Sequence, residues 1–246
     1  MVYKIKYPNS SYSRQDFYTQ RLLAVLSLFI STGLLVVLTN LPSIATVVKT
    51  SYTTHPLPPS LAQWQDHTNS GDYFDQVAKT GVGYLIWSKF PIQVYIQPPT
   101  TANHTQAQAW VNTVIETVQE WNVYLPLVVV DKPEIADITI IRQVPPLQFT
   151  RGHPPRARSA QTTYKVYENN RILDHKFTIL LSPSQTGVYL QAASRHELGH
   201  ALGIWGHSDL PTDALYFSQV SNPPPISPRD VNTLKRVYQQ PTHLGN

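Results

Sequence analysis

Residues 196–209, HELGHALGIWGHSD, constrain this chain more than any other stretch. Each residue of an α-helix turns by about 100°, so His196 and His200 leave one face a single turn apart, where one ion can bind both. Glu197 stands beside them, near such an ion without being needed as a ligand. Gly203 lies where the chain must leave the helix, because glycine tolerates the left-handed conformation at a helix C-terminus. His207 follows within reach of a chain that doubles back. The fold must therefore supply a helix with a polar stripe and a reversal that returns toward it.

The chain contains no cysteine. That excludes a disulfide-stapled scaffold, a thiolate metal site and a cysteine nucleophile, and it leaves imidazole and carboxylate as metal ligands. Zn²⁺ suits such a donor set, with three protein ligands and one open position, and lowers the pKa of a water there to about 7. A carboxylate placed like Glu197 can take that water's proton during attack on a peptide carbonyl and pass it to the leaving amine. No glutamate follows Glu197, so a downstream glutamate ligand is excluded. Asp209 and Asp213 stay open as third ligands beside His207, which is the common nitrogen donor and the first after the reversal.

The stretch resembles the metzincin signature HExxHxxGxxH, and HELGHALG in particular resembles the matrixins, the matrix-metalloproteinase type. The likeness extends over most of residues 84–240: PIQVYIQP resembles the first strand, Thr105–Trp121 the first helix, ADITII a later strand and SPRDVNTLKRVY the closing helix. HKFTILLS precedes the active-site helix. The resemblance implies an α+β catalytic domain, a twisted mixed sheet with an active-site helix and a C-terminal helix. It implies zinc on His196, His200 and His207, Glu197 as general base, and a peptide or protein substrate. Three departures stand out. His207 comes one residue late, with Gly206 in the expected place. The family's methionine turn has no methionine, since Met1 is the only one, and Leu215 takes its position. No cysteine exists to cap the metal from a pro-segment. The cationic loop Arg151–Arg158 also replaces the region where matrixins bind structural ions, so no such ions are expected there. Two other functions fit the same residues: a catalytically inactive metzincin-like binding domain, and a zinc hydrolase of a non-peptide envelope amide. An intact Glu197, which a pure binding domain does not need, argues against the first.

Residues 1–21 form a basic tail with Lys4, Lys6, Arg14 and Arg21 against Asp16, a net of +3 that leaves only +1 for the remaining chain. A nearly neutral body gives nucleic acid no footing. Residues 22–41 follow as an apolar, uncharged run long enough for a transmembrane anchor. A cleavable signal peptide ending at Ser43-Ile44-Ala45 is the alternative, giving a secreted product. In both cases basic residues precede the run, so the body is expected outside the cytoplasm. Residues 42–82 read as a proline-rich linker and N-terminal extension, and 83–246 as the metallopeptidase domain.

Within that domain, Tyr84–Trp87 and Ile92–Ile96 read as strands. A helix with Trp110, Val111, Val114, Ile115, Val118 and Trp121 at helical spacing follows a cap at Asn103 or Thr105. Leu127–Val130 and Ala136–Ile141 read as buried strands. Thr162–Tyr167 and Phe177–Leu181 form a hairpin about Glu168-Asn169-Asn170, with the first of them polar enough for a sheet edge. Helices over Gln185–Gly203 and from Ser227 to about Tyr238 complete the domain. The other histidines show no ligand spacing and read as exposed or singly bonded, with His153 and His175 the only pair worth weighing as a second metal site. With a tag at the C-terminus, the tag should be protease-accessible outside intact cells and the protein should fractionate with membranes. A soluble product starting near Thr46 would establish the cleaved signal instead.

Overall fold

The structure, a computed structural model, describes residues 52–100, 103–149 and 157–246. The basic tail, the apolar run and most of the cationic loop lie outside the described residues. Among the described residues no helix is long and apolar enough to cross a membrane. Thr50–Asn246 form one compact unit.

The unit is α+β, built on one five-stranded mixed sheet. Its elements in chain order are α1 (Pro59–Gln63), β1 (Ile92–Ile96), α2 (His104–Asn122), β2 (Leu127–Val130), β3 (Ile138–Arg142), β4 (Ala160–Asn169), β5 (Ile172–Leu181), α3 (Gly187–Ala201) and α4 (Pro228–Tyr238). The strand order is β2-β1-β3-β5-β4. The first four of these run parallel, and β4 pairs antiparallel with β5 at the edge. Alternation sets one face inward: Ile92, Val94 and Ile96 of β1, Ile138 and Ile140 of β3, and Phe177, Ile179 and Leu181 of β5 are all buried. They share one core with Trp110, Val114, Val118 and Trp121 of α2, whose spacing of three and four residues makes a single apolar stripe. Asn103 supplies the α2 cap, its side chain accepting from the Gln106 amide. The Trp121 indole donates to the Arg195 carbonyl at 3.0 Å, and Arg195 clasps Glu120 at 2.6 and 2.9 Å, so α2 is fastened to α3 by both ring and ion pair.

The hairpin closes through Asn170 and Arg171, both with positive φ (52° and 67°), the two-residue turn whose twist matches paired strands. The turn therefore sits further along the chain than Glu168-Asn169-Asn170. Two other expectations need correction. Tyr84–Trp87 is not a strand. Leu85, Ile86 and Trp87 are buried in irregular chain, and its polar groups bond to side chains of the C-terminal region, the Tyr84 carbonyl accepting from the Thr242 hydroxyl and the Trp87 amide donating to the Tyr238 hydroxyl. Apolar residues there reflect burial, not pairing. Leu127–Val130 is a strand but not a buried one: β2 is an edge, and Val128 and Val129 are about two-fifths exposed, at 39% and 41%.

The N-terminal extension packs onto this unit. Tyr73 and Val77 are buried, and Tyr73 donates its hydroxyl to Asp230 of α4. Asp230 completes a capping box with Ser227 at the start of α4 and also accepts from the Ala214 amide at 2.8 Å. Burial raises the Asp230 carboxyl above its ordinary range against the opposing bonds from Tyr73, Ser227 and Ala214. Removing it strands all these donors in a dry environment. Asp230→Ala should therefore lower unfolding stability by about 3 kcal/mol, read from urea denaturation, and a loss under about 1 kcal/mol would refute that role.

Candidate functional site

Helix α3 is buried along much of its length, with Leu190, Ser194, Arg195, Glu197, Leu198, Gly199, His200 and Ala201 enclosed. Helices buried this deeply seldom present polar side chains, so those on α3 need partners. His196 donates from Nδ1 to the Ala214 carbonyl at 2.9 Å, and His200 from Nδ1 to the Ile204 carbonyl at 2.7 Å. A carbonyl can only accept, so each Nδ1 carries a proton and Nε2 is the ring atom left to face a cation. These two Nε2 atoms face one another 3.1 Å apart. A cation lying near both could take the two nitrogens as ligands. Two nitrogens bound tetrahedrally to zinc stand about 3.3 Å apart, close to what is found.

His207 closes the set. Its ring lies 5.2 Å from that of His196 and 4.8 Å from that of His200, and one ligand atom from each of the three lies within 4.8 Å of the others. The three histidines can hold a metal ion. Burial, then His196, keep His200 well below the ordinary imidazole range, and burial, His196 and Arg158 lower His207 to about 4. Both shifts favour the unprotonated ring, the form that a metal binds.

Glu197 lies beside them, buried, its Oε2 accepting from the Thr162 hydroxyl at 2.6 Å. Burial raises its carboxyl above the ordinary range, although His196, Thr162 and Arg158 all pull it down. Histidines and carboxylate open onto a cleft of about 710 Å³, flanked by Thr162 on β4, Tyr189 on α3, and Tyr216 and Phe217 beyond the reversal.

The aspartates fall elsewhere. Asp213 is enclosed and its oxygens accept from Ser208, Ser227 and Arg229. Asp209 is exposed and lies 3.6 Å from Arg229. Leu215 is buried where the methionine was expected. Its methyls pack so closely that a Cβ on Gly199 would stand 2.6 Å from one of them, which sets Leu215 against α3 at Gly199, next to His200 in the chain. His153 lies outside the described residues. His175 is neither exposed nor bonded in the manner of a ligand: it is buried, stacks on Trp87 at 4.0 Å, and among the described residues neither ring nitrogen has a hydrogen-bond partner, with Asp174 3.8 Å from Nδ1. Thr162 and the Ala214 carbonyl were not anticipated. No sequence signal could have found them, since one is a threonine among β-formers and the other is main chain.

The late spacing of His207 also has a cause in packing. The Trp205 carbonyl accepts from the Ala78 amide at 2.9 Å, and a Cβ at Gly206 would stand 2.1 Å from the Gln76 carbonyl oxygen. The chain before His207 is thus pressed onto the N-terminal extension. Comparison with protein-family models and with curated proteins found no match for the chain. Gly206→Ala should displace this turn and weaken any binding of a divalent metal such as zinc by about tenfold or more, whereas Gly81→Ala, with nothing within 4 Å of its Cβ, should not. Zinc titration of both variants checks this, and equal affinities would refute it.

Proposed function

We propose that the protein is a zinc-dependent endopeptidase of the metzincin type, similar to the matrixins. The observation that carries this reading is the convergence of three imidazoles beside a buried carboxylate on an open cleft. Zinc is the metal of choice because the donors are three nitrogens without a thiolate or a carboxylate, the set that leaves one position open for chemistry. When bound, zinc supplies Lewis acidity that makes water a nucleophile near neutral pH.

The chain's own residues do the rest. His196, His200 and His207 hold the ion, and the Ala214 and Ile204 carbonyls fix the tautomers of the first two. Glu197 accepts the proton of the attacking water and gives it to the departing amine, and its burial raises its carboxyl above the ordinary range, which makes it a stronger base than an exposed glutamate. A peptide is favoured over a compact amide because β4 is an edge strand flanking the cleft, open to main-chain pairing on its outer side. The domain is read as working outside the cytoplasm, tethered or released through residues 22–41.

Glu197→Ala should keep its zinc and its fold and lose at least about a hundredfold in turnover, since it removes proton transfer and no ligand. His207→Ala should lose zinc, whereas Asp209→Ala should retain it. Bound metal and cleavage of a peptide library, with and without chelator, are measured together. Full activity of Glu197→Ala would sink the mechanism, and zinc loss in Asp209→Ala alone would reassign the third ligand.

A further inference from the structure

Among the described residues, the side chain of Glu197 has one hydrogen-bond partner, and that partner comes from the sheet. Thr162 Oγ1 lies 2.6 Å from Glu197 Oε2 and 3.1 Å from the Glu197 carbonyl oxygen, and Thr162 is itself buried. A hydroxyl has one proton, and the shorter contact to a charged acceptor takes it. Oε1 is left without a protein partner, in a residue that lines the cleft. We propose that Thr162 is a positioning residue whose hydroxyl holds one oxygen of Glu197 so that the other stays directed to the reacting water. This rests on the reading of Glu197 as the base.

The physical case has three parts. A glutamate side chain has three rotatable bonds, and a base that must be found in one orientation before each turnover loses rate to the others. A short hydrogen bond from a buried hydroxyl fixes that orientation in advance. Threonine suits the task because its branched Cβ limits χ1, and because the strand pleat turns its side chain toward α3 while the main chain of β4 stays at the sheet edge. The strand read as the docking edge thus also carries the hydroxyl that orients the base. Nothing in this contact requires the metal, so it can be measured apart from hydrolysis.

The test uses the full chain with Thr162→Val, which keeps shape and removes the donor, and Thr162→Ser, which keeps the donor and removes a methyl. Thr162→Val is expected to lower kcat about tenfold at unchanged zinc content, with KM within about twofold, and Thr162→Ser to restore kcat to within about threefold of wild type. Independently of activity, Thr162→Val should lower the Tm more in the wild-type background than in a Glu197→Ala background, where the hydroxyl keeps only its contact to the main-chain carbonyl of residue 197 at 3.1 Å. A Val variant with full kcat at full zinc overturns the inference, as does a Ser variant as slow as the Val variant, which would mean packing alone. Additive Tm changes overturn it too. A wild type with no chelator-sensitive hydrolysis overturns the reading of Glu197 as base and the role of Thr162 with it. That result is distinguishable from an active enzyme indifferent to Thr162→Val.

Discussion

Two enclosed carboxylates hold the chain reversal on which the site depends. Asp213 gathers the hydroxyls of Ser208 and Ser227 and the Arg229 guanidinium, while Asp230 accepts from the amides of Ala214 and Ser227 and from the Tyr73 hydroxyl. A buried carboxylate without donors is costly, so each compels the segments around it to supply them. The segments so recruited are the turn after α3, the start of α4 and the N-terminal extension. The Ala214 peptide then does two things at once: its N–H is held by Asp230 and its carbonyl fixes the proton of His196. An acid at the cap of the last helix therefore reaches the metal-facing nitrogen of the first histidine through a single peptide unit.

The same economy explains how Leu215 and the late His207 are accommodated. Leu215 presses against Gly199, and Gly199 is the only residue type that admits it there, because any Cβ would overlap the leucine methyls. A flat apolar contact of this kind needs volume and shape, not sulfur. The additional glycine before His207 is matched by contacts to residues 76–78, so the longer loop is pinned by main chain from the extension. The extension is thus a structural part of the candidate site, although it contributes no side chain to the metal cluster.

Much of this was legible in the sequence. The helix carrying His196 and His200, the α2 stripe, the strand at Ile92–Ile96, the hairpin and the capped closing helix all follow from local rules of spacing, capping and turn chemistry, which depend on residues within one or two turns of each other. The convergence of His207 on the helix pair was also legible, because two glycines permit the chain to reverse and imidazole is a recognisable donor. An α+β body with a mixed sheet was expected and is found.

What the sequence by itself determined was which side chains could bind a metal and which segments could be helix or strand. Tertiary structure alone decided where each segment's polar groups are satisfied. The irregular course of Tyr84–Trp87, the exposure of β2 at an edge and the burial of His175 against Trp87 each turn on partners distant in sequence. So does the hydroxyl that meets Glu197, which comes from a strand 35 residues earlier. Apolar composition announces burial but not pairing, and a threonine in a strand looks the same whether it faces solvent or a carboxylate. The difference lies in through-space contacts, which local periodicity does not encode.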